Sequence, residues 1–143
     1  VDIAVFTEEA TIDGKLRFAA VLPLPKGFEE TREGEDYREV IDWQSANWGT
    51  KWDLEDTELT VVAEGTKATA KFETAWSPPQ EWFAFVVRKY PRLRFELAYQ
   101  EGGMDFSGLW VADDGRFQKN LKGRSYESYN LHGDDWAALS PAA

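Results

Sequence analysis

An α+β fold, antiparallel strands with two helices on one face, is predicted by three observations. Two segments carry apolar residues at helical spacing: Tyr37, Val40 and Ile41, with Gln44 next on the same spacing, then Trp82, Phe83, Val86, Val87 and Tyr90. Around them, short runs alternate apolar and polar residues in the manner of half-buried strands. Asp13-Gly14, Gly65-Thr66 and Asp114-Gly115 separate those runs where hairpin turns belong.

Residues 1–6 set Ile3 and Val5 between Asp2 and Ala4, the pattern of a first strand, and Asp13-Gly14 turns the chain into a partner at residues 15–22 that Pro23 and Pro25 terminate. Residues 26–36 form a charged loop in which Glu29, Glu30, Glu33, Glu35 and Asp36 outweigh Lys26 and Arg32. Asp36 and Glu39 make a capping box for the first helix, which buries Tyr37, Val40 and Ile41 and ends near Ala46. Residues 58–64 and 67–74, joined by Gly65-Thr66, read as a β-hairpin. Ser77-Pro78-Pro79-Gln80 starts the second helix, with Ser77 as cap, Pro78 at the first helical position and Pro91 beyond its end. Residues 92–99 turn Leu93, Phe95, Leu97 and Tyr99 to one side, and Met104, Phe106, Gly108, Trp110 and Ala112 form a further alternating face. Asp114-Gly115 then closes a hairpin into residues 116–121. Strand, helix, strand, strand, helix, strand is the ferredoxin-like βαββαβ order, here with a C-terminal β-hairpin extension.

A chain of 143 residues is expected to be one domain, residues 1–143, with a core at about 15–112 and an extension at 113–143. The formal charge of -10 argues against holding a phosphate backbone, which requires clustered Lys and Arg. It suits a partner with a basic surface. The chain has 0 Cys, so it has no disulfide framework or thiolate site. It also has 1 His, at position 132, too few for a usual zinc site. No cofactor or metal is expected. No apolar run is long enough to span a membrane and no basic-then-apolar leader stands at the front, so the expected location is the cytoplasm. Nothing in the sequence sets the oligomeric state.

The densest chemistry lies in Asn47-Trp48-Gly49-Thr50-Lys51-Trp52-Asp53. Gly49-Thr50-Lys51 imitates the end of a phosphate loop, but position 44 is Gln where a glycine belongs, and Trp52 follows the lysine instead of a hydroxyl. Two rings packed on either side of a tight turn account for most of the segment. Its functional version keeps a Trp exposed beside Lys51, as a platform for a base, a sugar or a partner's arginine. Asp53, Glu55 and Asp56, with Glu101 and Asp105, are the carboxylates available for acid and base chemistry if their side chains converge. Arg92, Arg94, Lys67 and Lys71 would share the outer sheet face, but no aromatics accompany them there, so an RNA-recognition surface is not expected.

The chain resembles the YubB-like proteins of plasmids and bacteriophages. The matching pieces are Leu22-Pro23-Leu24-Pro25, Trp43, residues 47–53, Thr74-Ala75-Trp76-Ser77-Pro78-Pro79, Tyr90-Pro91, and Tyr99-Gln100-Glu101-Gly102-Gly103 with Phe106 and Gly108. The resemblance implies a ferredoxin-like domain and a mobile-element origin, so that the expected cytoplasm is that of a bacterial host, and it brings no catalytic residues. The expected function is a small non-enzymatic accessory protein that binds a host protein through acidic surface, in its sharpest form an anti-defence inhibitor. The expected contact residues are Glu29, Glu30, Glu33, Glu35, Asp36, Trp48, Lys51, Trp52, Asp53, Glu55 and Asp56. The alternatives are a single-stranded nucleic-acid module using Trp48, Lys51 and Trp52, and an enzyme using the carboxylates near Asp53 and Glu101.

Overall fold

The computed structural model describes residues 2–28, 37–75, 77–101, 105–123 and 140–141. Two compact units divide the chain, Val1–Val86 and Val87–Ala143. The first holds helices α1 (Asp2–Glu9), α2 (Phe18–Val21) and α3 (Tyr37–Asn47), strands β1 (Thr11–Ile12), β2 (Lys15–Leu16), β3 (Thr60–Val62) and β4 (Lys67–Thr69), and most of α4 (Gln80–Lys89). The second holds β5 (Phe95–Glu101), β6 (Phe106–Asp113), β7 (Arg116–Gly123) and β8 (Ser140–Pro141). All strand pairs are antiparallel, in sheets ordered β1-β2, β3-β4 and β5-β6-β7-β8. The fold is therefore α+β with antiparallel sheets, consistent with a ferredoxin-like fold carrying extra strands.

The expected helices are present. α3 covers the predicted segment and buries Val40 and Gln44; Asp36, its expected cap, lies outside the described residues. In α4 the predicted stripe is buried, with Trp82, Phe83, Val86 and Val87 each at most 5% exposed. The helix starts later than expected, at Gln80, because the Ser77 hydroxyl donates to the Gly49 carbonyl at 2.5 Å instead of capping. The hairpins at Asp13-Gly14 and Asp114-Gly115 use positive φ at both turn residues, as two-residue hairpin turns require.

Two strand expectations fail. Residues 2–6 belong to helix α1, which buries Phe6 and leads directly to buried Ala10, with the Thr7 hydroxyl donating to the Ile3 carbonyl at 2.7 Å. Val-Asp-Ile-Ala-Val-Phe is apolar at every position except Asp2, so alternation cannot tell a strand from a helix there. Within residues 15–22 only Lys15 and Leu16 are strand, and the chain then enters α2. The cause is remote: the Asp53 carboxylate accepts the amide hydrogens of Phe18 (2.6 Å) and Ala19 (3.0 Å), fixing a helical turn where the local pattern reads as extended.

In the second unit β6 is the central strand, buried from Ser107 to Ala112. On one face Tyr99 lies across from Gly108, and its ring covers the glycine so closely that an added Cβ would come 2.7 Å from Tyr99 Cε1. Trp110 stacks against the same ring at 4.9 Å and donates its indole hydrogen to Asn120 Oδ1 at 2.7 Å. Burial among these groups raises the Tyr99 pKa above 10.0. Leu109, Val111 and Leu121 pack together on the opposite face.

Candidate functional site

The core of the first unit explains the Trp-Gly-Thr-Lys-Trp-Asp turn. Phe18 is fully buried, with Trp82 at 4.9 Å, Trp48 at 5.8 Å and Phe72 at 6.1 Å between ring centroids. Trp48 is fully buried too, edge-on to Trp43 at 5.6 Å, and donates its indole hydrogen to the Leu22 carbonyl at 2.9 Å. Trp82 donates to the Phe18 carbonyl at 3.1 Å. Trp48 and Trp82 thus each bury their apolar surface and satisfy their one polar group, the arrangement that makes a buried Trp favourable.

The turn is then bonded to the segment before α4. The amide hydrogen of Trp82 reaches the Trp48 carbonyl at 3.3 Å. The Gly49 carbonyl takes the Ser77 hydroxyl. The buried Thr50 hydroxyl accepts from the Ala75 amide at 3.1 Å and points back at the Ala75 carbonyl at 3.4 Å. Buried Gln44 donates to the Lys51 carbonyl. Gly49 has φ +86, and a Cβ there would lie 2.8 Å from the Gln80 amide nitrogen and against the Glu81 carboxylate. Gly49→Ala is expected to cost about 1–3 kcal/mol from the left-handed conformation alone, more with the clash. A fall in thermal midpoint checks it, since an unchanged midpoint would mean that the turn is not fixed as described.

Asp53 closes the turn. Its Oδ1 accepts from Phe18 and Leu54, the latter at 2.7 Å, its Oδ2 accepts from Ala19, and Arg17 Nε stands 3.4 Å from Oδ2. The side chain is 10% exposed.

Burial therefore divides the expected contact residues. Trp48 and Asp53 are corrected: one is sealed in the core, the other has its carboxylate occupied by backbone amides, and neither presents a surface to a partner. Lys51, Trp52, Glu55 and Asp56 are exposed, Trp52 at 52%. Lys15 bridges Asp56 at 3.0 Å and Glu58 at 3.3 Å, and hydrogen bonds to those carboxylates, Asp56 first, raise its pKa. Glu29, Glu30, Glu33, Glu35 and Asp36 lie outside the described residues, as does His132. The carboxylates of Asp53, Glu55 and Asp56 do not converge as an acid–base pair, since Asp53 points into the cap of α2 and Asp56 outward to Lys15. Lys67 and Arg94 do not share a sheet: Lys67 is in the β3-β4 sheet, and Arg94 stands just before β5 and pairs with Glu96 and Asp113. Among the described residues no group of three or more His, Cys, Asp or Glu could hold a metal ion, and no helix is long and apolar enough to cross a membrane.

The local pattern marks Phe18 and Arg17 as strand residues, and Gln44 as a helix residue that breaks the phosphate-loop spacing. No local signal marks their structural roles, because each acquires its role from a partner distant in sequence.

An antiparallel α+β domain, with its most distinctive sequence block folded inward as a hydrogen-bonded turn and a Lys-Trp step left outside, is the class that fold and site define. The family model described as the ferredoxin-like domain in Api92-like protein matches residues 47–132, and the chain belongs to that family. The match starts at Asn47, the first residue of the turn, and agrees at family level with the resemblance to YubB-like proteins. No curated protein and no solved structure shows a significant match to the chain.

Proposed function

We propose that this domain is a non-enzymatic binding module of a mobile element, recognising a basic surface on a host protein through the step formed by Lys51 and Trp52 with the carboxylates of Glu55 and Asp56. The observation that carries this reading is the contrast between the two tryptophans of one turn: Trp48 is 0% exposed and Trp52 is 52% exposed. Trp is costly to leave in water and is enriched where protein contacts concentrate their binding energy. The neighbouring residues Trp48, Thr50, Asp53 and Leu54 are buried or held by hydrogen bonds, so the step is ordered before any partner arrives and less entropy is lost on binding. An exposed indole accepts an arginine or lysine over its face, and nearby carboxylates can pair with flanking basic groups. The net charge of -10 supports attraction of such a partner over distance. A protein that blocks a nucleic-acid groove of a host nuclease would use these features.

The nucleic-acid alternative loses one of its two stacking rings with the burial of Trp48. A gel-shift assay with single-stranded DNA and RNA separates the readings, and the binding-module account expects no shift. Trp52→Ala is expected to leave stability within about 0.5 kcal/mol of wild type, because the ring is half in water already. It is expected to weaken partner binding by roughly 30-fold, the effect of losing a central contact of about 2 kcal/mol. Partner titration by calorimetry beside a denaturation curve checks both halves, and equal affinity with equal stability would remove Trp52 from the contact.

A further inference from the structure

We propose that β5 is the seam of a homodimer, pairing antiparallel with β5 of a second copy about a two-fold axis at Ala98. In the order β5-β6-β7-β8, β5 is an outer strand, and among the described residues no strand pairs with its outer edge. β7 by contrast is covered by β8 at Leu121 and Lys122. Outer strands offer a row of backbone donors and acceptors, and proteins that stay apart blunt them with proline, lysine, bulges or brevity. Phe-Glu-Leu-Ala-Tyr-Gln-Glu runs 7 residues with no proline, lysine or bulge against β6; its charged side chains are Glu96 and Glu101. It holds register with β6 from end to end, and the irregularity of the sheet lies between β6 and β7.

The sequence of β5 also matches itself. Pairing about Ala98 sets Leu97 opposite Tyr99 of the second copy, an aliphatic–aromatic cross-strand pair of the stabilising kind. It sets Glu96 opposite the neutral amide of Gln100, so no like charges face each other along the strand interior. Paired residues share the parity of their positions, so each face of one sheet continues into the same face of the other. Leu97 and Tyr99 are half-buried and Ala98 is exposed, which leaves apolar area to bury and room at the axis. Strand β3 has exposed Val61 and Val62 but spans only Thr60–Val62 before a tight turn at Ala63–Gly65, too short an edge to hold a second copy. Of these two edges, β5, with 7 residues, is the one long enough for self-pairing.

The chain has 0 Cys, so one introduced thiol reports cleanly. Across such an axis two Cα atoms stand about 4.5–5.5 Å apart, within disulfide range. Ala98→Cys is expected to cross-link into a covalent dimer under mild oxidation, whereas Glu8→Cys, at an exposed position on α1, is not. By analytical ultracentrifugation the wild type is expected at twice the chain mass and Ala98→Lys at half of that, with its circular dichroism unchanged. A wild type that sediments as a monomer at its highest soluble concentration would overturn the proposal. So would a dimer that persists in Ala98→Lys, or cross-linking of Ala98→Cys no faster than that of Glu8→Cys.

Discussion

Trp48→Ala is expected to lower the unfolding free energy by about 4 kcal/mol, the range for deleting a large buried ring whose cavity cannot fully collapse. The site is tightly walled: Trp48 touches Phe18 and Trp43, and the chain on either side is bonded to α4 and to residue 75. The same change leaves the Leu22 carbonyl without its indole donor. Because domains are stable by only about 5–15 kcal/mol, this variant lies near the edge of folding. Trp48→Phe supplies the graded version. It keeps most of the apolar volume, loses the hydrogen bond, and is expected to cost about 1–3 kcal/mol. Urea denaturation followed by far-ultraviolet circular dichroism checks both. If the midpoints fell in the opposite order, or did not move, Trp48 would not be the anchor of the turn.

Asp53→Ala is expected to cost about 3 kcal/mol, an unusually large effect for a residue in an acidic loop. The carboxylate accepts three backbone amide hydrogens, from Phe18, Ala19 and Leu54, and stands beside the Arg17 guanidinium. Removing it orphans the start of α2, and Arg17 Nε, which is buried and makes no hydrogen bond, keeps its charge without a counterion. The Arg17 side chain is 36% exposed, so solvent takes up part of that charge, and most of the cost comes from the orphaned amides. Asp53→Asn retains an acceptor oxygen and is expected to cost less. Hydrogen exchange gives the local readout: the Phe18 and Ala19 amides lose protection in Asp53→Ala before the rest of the unit does. Protection equal to wild type would show that α2 forms without this cap. Glu55→Ala and Asp56→Ala, one and two positions away from the neighbouring Leu54, serve as controls with small effects, since both side chains are in water.

Much of the fold was legible because it is written locally. The apolar stripe of α4, the segment of α3 and the turns at Asp13-Gly14 and Asp114-Gly115 depend on residues within a few positions of one another. What was not legible depends on distant pairs. Residues 15–22 have the alternation of a strand, and only the approach of Asp53 turns Phe18 and Ala19 into a helical start. The two tryptophans of the central turn are four residues apart among similar neighbours, so their sequence surroundings cannot say which one faces the core. Phe18 decides it by taking Trp48 as its ring partner. Asp53 and Asp56 look equivalent on the page for the same reason, and one is a buried cap while the other is a surface partner of Lys15.

The division of this turn into an inward architectural half and an outward recognition half is tested most directly by retention of host protein on immobilised wild type and Trp52→Ala, side by side at low salt. The account predicts a host protein bound by the wild type and lost from Trp52→Ala, although the two unfold at the same urea midpoint. Retention of the same protein at the same level by Trp52→Ala, or its absence from the wild type, would contradict it.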